Sequence, residues 1–177
     1  MKFVVIILIA IVVGVVLLLW QHGRRLSMSY DQSAGALVPD PIAISNDDPL
    51  MKEATDRARA TVGTVRELLP SRPQNCYVKI PFQTSSGAVE HVWAGLISLN
   101  DKDITCQILS RPVHHQGDIP SPYYCSASAL EDWQVLMPDD TIRGGYTMRV
   151  MFQRAKERYG DRMPKDLAVE MQRYVDR

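Results

Sequence analysis

The strongest hydrophobic pattern in the chain is an unbroken apolar run from Phe3 to Trp20. Its eighteen residues carry no charge, and a helix of that length spans about 27 Å, close to the hydrocarbon thickness of a bilayer. Trp20 lies where an interfacial aromatic anchor is expected, and Arg24 and Arg25 end the segment. The pattern therefore predicts a transmembrane signal-anchor over residues 1–25.

A cleaved signal peptide is the alternative interpretation of this run. Such a peptide has a shorter apolar core followed by a small-x-small cleavage site. Here the run ends in LLLWQHGRRL, with bulky residues where small ones are required. We therefore expect the segment to be retained as a single-pass anchor.

The pattern then changes from aperiodic to helical. Residues 26–47 mix Ser, Gly, Ala, Pro and Asp without a sustained period, which is typical of a flexible linker. Asp48 and Pro49 suit the N-cap and first position of a helix, and Pro70 and Pro73 end it. Apolar residues recur on one face of this helix at spacings of four and three: Leu50, Ala54, Ala58, Val62, Val65 and Leu69.

After Pro73 the period becomes two, which indicates β-strands joined by short turns. Short turns require antiparallel pairing, because parallel strands need long crossover connections. A helix is expected to end at Tyr159 with Gly160 as its cap, and Pro164 opens a last helix. These boundaries predict an α+β domain over 48–160 and a C-terminal helix in 161–177. The predicted strands are 76–82, 89–99, 104–109, 123–129 and 133–137, with 146–150 either a short sixth strand or the entry to a helix.

Charge and cysteine content narrow the possible functions. Lysine plus arginine equals aspartate plus glutamate at 20 each, so the chain lacks the basic excess typical of nucleic-acid binding. The three cysteines, Cys76, Cys106 and Cys125, are widely spaced without a CxxC pair, which argues against a zinc site. They are expected to be small buried hydrophobic residues. One disulfide is an option if the domain lies outside the cytoplasm, and the spacing does not identify the pair.

Three short motifs follow one another in the domain: Glu90-His91-Val92-Trp93, Glu131-Asp132-Trp133, and the segment GGYTMR from Gly144 to Arg149. Together with the preceding helix and the strand from Tyr77 to Phe82, they resemble the YegJ-like family of bacterial domains of unknown function (domain of unknown function 2314). The resemblance covers roughly Asp48 to Val150.

The resemblance implies a compact α+β domain with a helix packed on a curved antiparallel sheet, here of about five or six strands, followed by C-terminal helices. The family has no established activity, so no catalytic residue is carried over. The chain departs from the family pattern where Pro120 and Pro122 interrupt the stretch from Gly117 to Tyr124. The charges flanking the apolar run lean toward a cytoplasmic domain. Exported relatives in the family favour the periplasmic face of the bacterial inner membrane, which is our expectation.

His91 is the first candidate for chemistry, as a general base or a metal ligand. Side chains alternate along a strand, so His91 and Trp93 are expected to share one face while Glu90 lies on the other. A structural histidine packed beside the tryptophan is the favoured interpretation. If His91 instead lies in an open cleft beside a carboxylate, the position favours an enzyme.

The remaining candidates are interpreted as binding or structural residues, and no metal or cofactor is expected. His114 and His115 lie in a loop rich in proline and glycine, where two histidines alone do not complete a metal site. The other motif residues are expected to support the fold through buried aromatic area and glycine conformations: Glu90, Asp132, Trp133, Gly144, Gly145 and Tyr146.

No established catalytic motif is present, so the sequence favours a membrane-tethered module that binds an unknown protein, with no nucleic-acid partner. A toxin-immunity inhibitor is one version of that hypothesis. The alternative is a hydrolase that uses His91 with an acid such as Glu90 or Asp132.

Overall fold

The computed structural model of the chain describes residues 48–175. The predicted signal-anchor (1–25) and linker (26–47) lie outside the described residues. Within 48–175, no helix is both long enough and apolar enough to cross a membrane.

The first predicted helix is present, with a break near its middle. It forms α1, Pro49–Ala60, and α2, Val62–Leu68, followed by a single 3₁₀ turn. Asp48 caps α1 as predicted, because its carboxylate accepts a hydrogen bond from the Leu50 amide at 2.9 Å. The break falls at Thr61, whose hydroxyl bonds the Arg57 carbonyl at 2.8 Å and thereby competes with the regular helix pattern. The buried residues of the pair are Ala54, Ala58 and Val65, all from the predicted apolar face.

The strands form one seven-stranded sheet in the order β4-β3-β2-β1-β5-β6-β7. The expectation of five or six antiparallel strands is therefore corrected: the sheet is mixed, because β7 pairs with β6 in parallel. The long crossover that a parallel pair requires is supplied by the helices between them. The strands are β1 Cys76–Gln83, β2 Val89–Leu99, β3 Asp103–Ile108, β4 Tyr123–Ser126, β5 Asp132–Leu136, β6 Ile142–Gly144 and β7 Tyr174–Val175.

Two helices lie between β6 and β7. The first, α3, is Tyr146–Tyr159, and Gly160 ends it at a φ of 51°. The second, α4, is Lys165–Gln172, which begins directly after Pro164 as predicted. The segment at 146–150 is thus the entry to a helix, and the sixth strand precedes it. The fourth strand is shorter than predicted, since residues 127–129 form a 3₁₀ turn.

The sheet has a hydrophobic cluster on each face. On one face, β1 contributes Cys76, Val78, Ile80 and Phe82 to a core that includes Ala58 of α1 and Val65 of α2. The other face carries a smaller cluster of Trp93 from β2 with Met148 and Phe152 from α3. Alternation along β1 and β2 separates the two clusters: Val78 is paired with Ala94, and Lys79 with Trp93.

The three cysteines are free thiols in the structure. Cys76 and Cys106 are buried in the first core, and Cys125 is half-buried beside it. This is the small-hydrophobe environment that the sequence predicted.

Candidate functional site

His91 lies on the same face of the sheet as Trp93, as the alternation predicted. On the neighbouring strand β1, His91 is paired with Pro81 and Trp93 with Lys79, two residues away. The environments of the two side chains nevertheless differ. Trp93 is 7% exposed in the second core, whereas the His91 side chain is 29% exposed and faces a carboxylate.

That carboxylate belongs to Glu131. The His91 Nδ1 lies 2.7 Å and 2.8 Å from its two oxygens. Glu131 directly precedes β5 and is held in place by its backbone amide, which donates to the Lys79 carbonyl at 2.9 Å. The alternative hydrolase hypothesis named Glu90 or Asp132 as examples of the acid, whereas the acid beside His91 is Glu131. Glu131 stands in the same quoted motif, but only the pairing of β1 with β5 brings it to His91.

His91 and Glu131 line a surface cleft of about 330 Å³. Part of the lining is one face of α1 from Met51 to Arg59, and the rest comes from the sheet and the start of α3. The cleft therefore combines five segments that are far apart in the sequence. Its lining residues are Met51, Lys52, Thr55, Asp56, Arg59, Lys79, His91, Glu131 and Thr147.

Lys79 and Arg59 supply positive charge to this cleft. Burial lowers the pKa of the Lys79 ammonium below its ordinary value of 10.5, against the opposing effect of the nearby Glu131 and Asp132 carboxylates. Arg59 is oriented by two backbone carbonyls, since its Nε donates to Leu130 at 2.8 Å and its Nη2 to Ser128 at 3.2 Å. Neither residue was predicted as part of a site, because a lysine on an alternating strand and an arginine on a charged helix face carry no distinctive pattern.

Glu90 organises a second network, on the opposite side of β2. Its carboxylate accepts hydrogen bonds from the Val113 amide at 2.8 Å and the His114 amide at 2.6 Å, and the His114 Nδ1 lies 3.0 Å away. Burial alone would raise the pKa of Glu90, but these hydrogen bonds outweigh it and the pKa lies below its ordinary value. Glu90 therefore fastens the loop after β3 to the sheet.

The two adjacent histidines of that loop contact different partners. The His114 side chain is 65% exposed and is paired with Glu90. His115 packs edge-on against Phe82 at 5.0 Å between ring centroids, and its Nδ1 accepts a hydrogen bond from the Ser85 amide at 3.2 Å. Both histidines therefore hold the loop against the β1–β2 hairpin.

Asp132 is a fully buried carboxylate beneath the cleft, at the N-terminus of α3. It accepts hydrogen bonds from the Tyr146 amide at 3.1 Å and from the Thr147 amide and hydroxyl, each at 2.7 Å. The Trp133 amide donates a fourth at 2.8 Å. Burial raises the pKa of Asp132 to about 6, although all four hydrogen bonds act to lower it. Asp132 therefore satisfies the amides that open α3, which no residue of α3 itself can do.

Trp133 connects the helices to the sheet. Its indole N–H donates to the Ala58 carbonyl at 3.0 Å and to the Thr61 hydroxyl at 3.2 Å, so it bonds the end of α1 at the break before α2. Its ring meets that of Tyr146 edge-on at 5.9 Å.

Gly144 and Gly145 admit this packing, at φ angles of 79° and 65°. A Cβ on Gly144 would overlap the Trp133 carbonyl oxygen and lie 2.7 Å from the Trp133 ring. A Cβ on Gly145 would overlap the ring of Tyr174. The second and third motifs thus meet in space as one structural unit.

Comparison with known protein families assigns the domain that holds these motifs to one of them. A family model described as an uncharacterized protein conserved in bacteria, DUF2314, matches residues 48–166. The chain belongs to the DUF2314 family. This confirms the predicted resemblance to the domain of unknown function 2314, while the narrower YegJ-like label stays a resemblance. Searches of the curated proteins and of the solved structures found no match.

The DUF2314 match includes every residue of the cleft and of the Glu90 network, and it ends before β7. Chemically, the cleft of this DUF2314 domain offers an ammonium, a guanidinium and a histidine–carboxylate pair to a polar ligand. Across residues 48–175, no group of three or more His, Cys, Asp or Glu side chains could hold a metal ion.

Proposed function

We propose that this DUF2314 domain is a non-enzymatic protein-binding module, tethered to the bacterial inner membrane by residues 3–20. The observation that carries the proposal is a strip of exposed apolar side chains on the sheet that belong to neither hydrophobic cluster. The strip consists of Ile97, Leu109 and Tyr124, which are 53%, 45% and 67% exposed. We call it the outer strip.

Strand register supports placing the three residues of the outer strip on one face. Ile104 and Cys106 of β3 lie in the first core, so Thr105 and its partner Tyr124 face away from that core. Gly95 likewise alternates with core residues, and a Cβ built on it would lie 3.6 Å from Leu109. Ile97 follows the core residue Leu96 at a β-bulge.

The strip adjoins β4, which pairs only with β3 among the described strands. A sheet edge with unpaired amides and carbonyls can add a strand from a partner, and nearby apolar side chains supply contact area. Clustered exposed apolar residues on a small domain are typical of a protein-interaction surface. The tether supports the same role, since it would hold this surface near envelope proteins.

Site-specific photo-crosslinking in the native bacterium tests the binding proposal. A photoreactive residue at Tyr124 of the full-length chain should give a discrete crosslinked protein, and Ile97→Lys should abolish that product. Val169 on α4 is 61% exposed and serves as the matched position away from the strip. Equal crosslinking from both positions, or a product unaffected by Ile97→Lys, would contradict the outer strip as the binding surface.

A hydrolase is the second candidate, and one observation favours it. His91 lines a cleft and has the Glu131 carboxylate at 2.7 Å, which is the arrangement expected for a general base with an orienting acid. Of the two threonines in the lining, Thr147 already donates its hydroxyl to Asp132. In this candidate function the pair activates water as the nucleophile.

His91→Gln separates the two candidates. For a binding module, this variant should fold, keep the crosslinked partner and complement a deletion strain. For a hydrolase, it should fold and keep the partner but fail to complement, and Glu131→Gln should fail in the same way.

A further inference from the structure

Two cations of the cleft, Lys79 and Arg59, form no ion pair within 4.0 Å in the described part of the chain. Lys79 makes no side-chain hydrogen bond and no ion pair with any residue in 48–175, although it is half-buried. The Arg59 guanidinium donates only to two backbone carbonyls. No carboxylate in residues 48–175 lies within 4.0 Å of it. Other arginines of this domain are matched: Arg154 pairs with Asp48 at 2.9 Å, and Arg173 with Glu170 at 2.9 Å.

The acids nearest to Lys79 are committed elsewhere. Both oxygens of Glu131 bond to His91, and those of Asp132 accept four hydrogen bonds from β5 and the start of α3. A charged group withdrawn from water without a hydrogen-bond partner costs free energy. An anion from outside the domain would supply the missing contact and reduce that cost.

We propose that the cleft is a binding site for a carboxylate ligand, held by Lys79 and Arg59. The planar guanidinium suits a carboxylate because it can donate two parallel hydrogen bonds. The charges of the cleft favour a monoanion: three basic residues and two carboxylates line it, and the Asp132 carboxylate lies close to Lys79. A phosphate dianion would bring a second negative charge close to Glu131 and Asp56.

The size of the cleft limits the rest of the ligand. A volume of about 330 Å³ lies near the lower end of small-ligand sites, which hold about 300–1,000 Å³. Met51 and Thr55 on the α1 wall offer aliphatic contacts next to the charged groups. Two sources of carboxylate fit this space: a free small organic acid, or the C-terminal carboxylate of a polypeptide.

This site is separate from the outer strip. The strip is formed by β2, the residue after β3 and β4. The cleft is formed by α1, β1, the residue before β5 and α3, and includes only His91 from β2. Loss of crosslinking from Tyr124 would therefore not contradict the carboxylate site. Failure to bind carboxylates would likewise not contradict the outer strip as a binding surface.

NMR titration of the full-length chain in detergent micelles tests the site. The probes are acetate for a free acid, N-acetylalanine for a polypeptide C-terminus, N-acetylalaninamide as the uncharged match, and inorganic phosphate. We expect saturable shifts at Lys79 and Arg59 with both carboxylates and no saturable shift with the amide. Tighter binding of N-acetylalanine than of acetate would identify a C-terminus as the ligand, whereas equal affinities would identify a free acid.

Matched variants assign the effect to the two cations. Lys79→Met removes the ammonium while keeping an extended chain, and it should weaken binding at least about tenfold. Arg59→Gln changes a residue on the exposed side of α1 and provides a second test if the strand variant fails to fold. Lys156→Met on the exposed face of α3 is the control and should bind like the native chain.

Three results would overturn the proposal. The first is native affinity in folded Lys79→Met and Arg59→Gln chains. The second is equal binding of the amide and the acid. The third is phosphate binding more tightly than either carboxylate, since the charge argument excludes that order.

Discussion

At the scale of single residues, the glycine pair at the end of β6 shows how the lack of one side chain determines the position of another. Gly144 approaches Trp133 so closely that no Cβ fits between them, and both glycines have positive φ. The close approach lets Trp133 reach the Ala58 carbonyl on α1. The position of Trp133, which is only 2% exposed, thus depends on the lack of a Cβ atom on Gly144, eleven residues later.

Gly144→Ala should therefore destabilise the domain through steric overlap as well as backbone strain. Gly87 is the matched control, because its φ of 84° resembles the 79° of Gly144 while a Cβ there would contact nothing within 4 Å. Gly87→Ala should cost only the strain of positive φ, about 1–2 kcal/mol. Gly144→Ala should cost at least roughly 2 kcal/mol more because the neighbouring atoms must shift. Denaturant unfolding of both variants measures the difference, and equal losses would refute the steric argument.

At the scale of elements, the sequence correctly predicted the features that depend on a residue pattern within one segment. The alternation from Cys76 to Phe82 and the capping signal at Asp48 each belong to one segment, and both appear in the structure as expected. The break at Thr61 was missed because the hydroxyl that accompanies it bonds Trp133, 72 residues away. β7 was missed because two residues carry no readable period, and its pairing with β6 depends on the helices between them.

The cleft was missed for the same physical reason. His91 was identified from its motif, but the acid beside it is 40 residues away and arrives through the pairing of β1 with β5. Lys79 and Arg59 are ordinary residues of a strand and a helix, and their unpaired charges are visible only once every nearby carboxylate has been placed. The local residue patterns therefore identified the structural motifs and one residue of the cleft, His91.

Because the C-terminal elements pack into the sheet, they should be needed for the stability of the whole domain. Tyr174 packs edge-on against Phe152 at 5.1 Å, and the Ile142 amide donates to the Arg173 carbonyl at 2.7 Å. Removing residues 164–177 exposes the second core and one edge of β6, and should cost about 3 kcal/mol or more.

The control for this truncation is Val169→Ala, a change at a residue of α4 that is 61% exposed, which should leave the melting temperature nearly unchanged. Thermal unfolding followed by circular dichroism compares the two chains. A chain lacking 164–177 that melts with the control would show that β7 contributes little to the fold.

At the scale of the whole molecule, equal numbers of acidic and basic residues leave no net field to recruit a charged polymer or an anionic membrane surface. Recognition must then come from local features, and the described domain has two of them, the outer strip and the cleft. In the proposed tether, association with the membrane comes from apolar area, and the run from Phe3 to Trp20 would supply it.

The tether is tested by changing that run in the full-length chain. Ile11 lies near its middle, where an arginine opposes insertion by about 3 kcal/mol. Deleting residues 1–25 should move the protein to the soluble fraction with its thermal transition intact. Ile11→Arg should shift it in the same direction, and Ile11→Leu should leave it in the membrane fraction after alkaline extraction. Native protein found in the soluble fraction with a trimmed N-terminus would instead establish a cleaved signal peptide, because only cleavage removes the apolar run while leaving the domain whole.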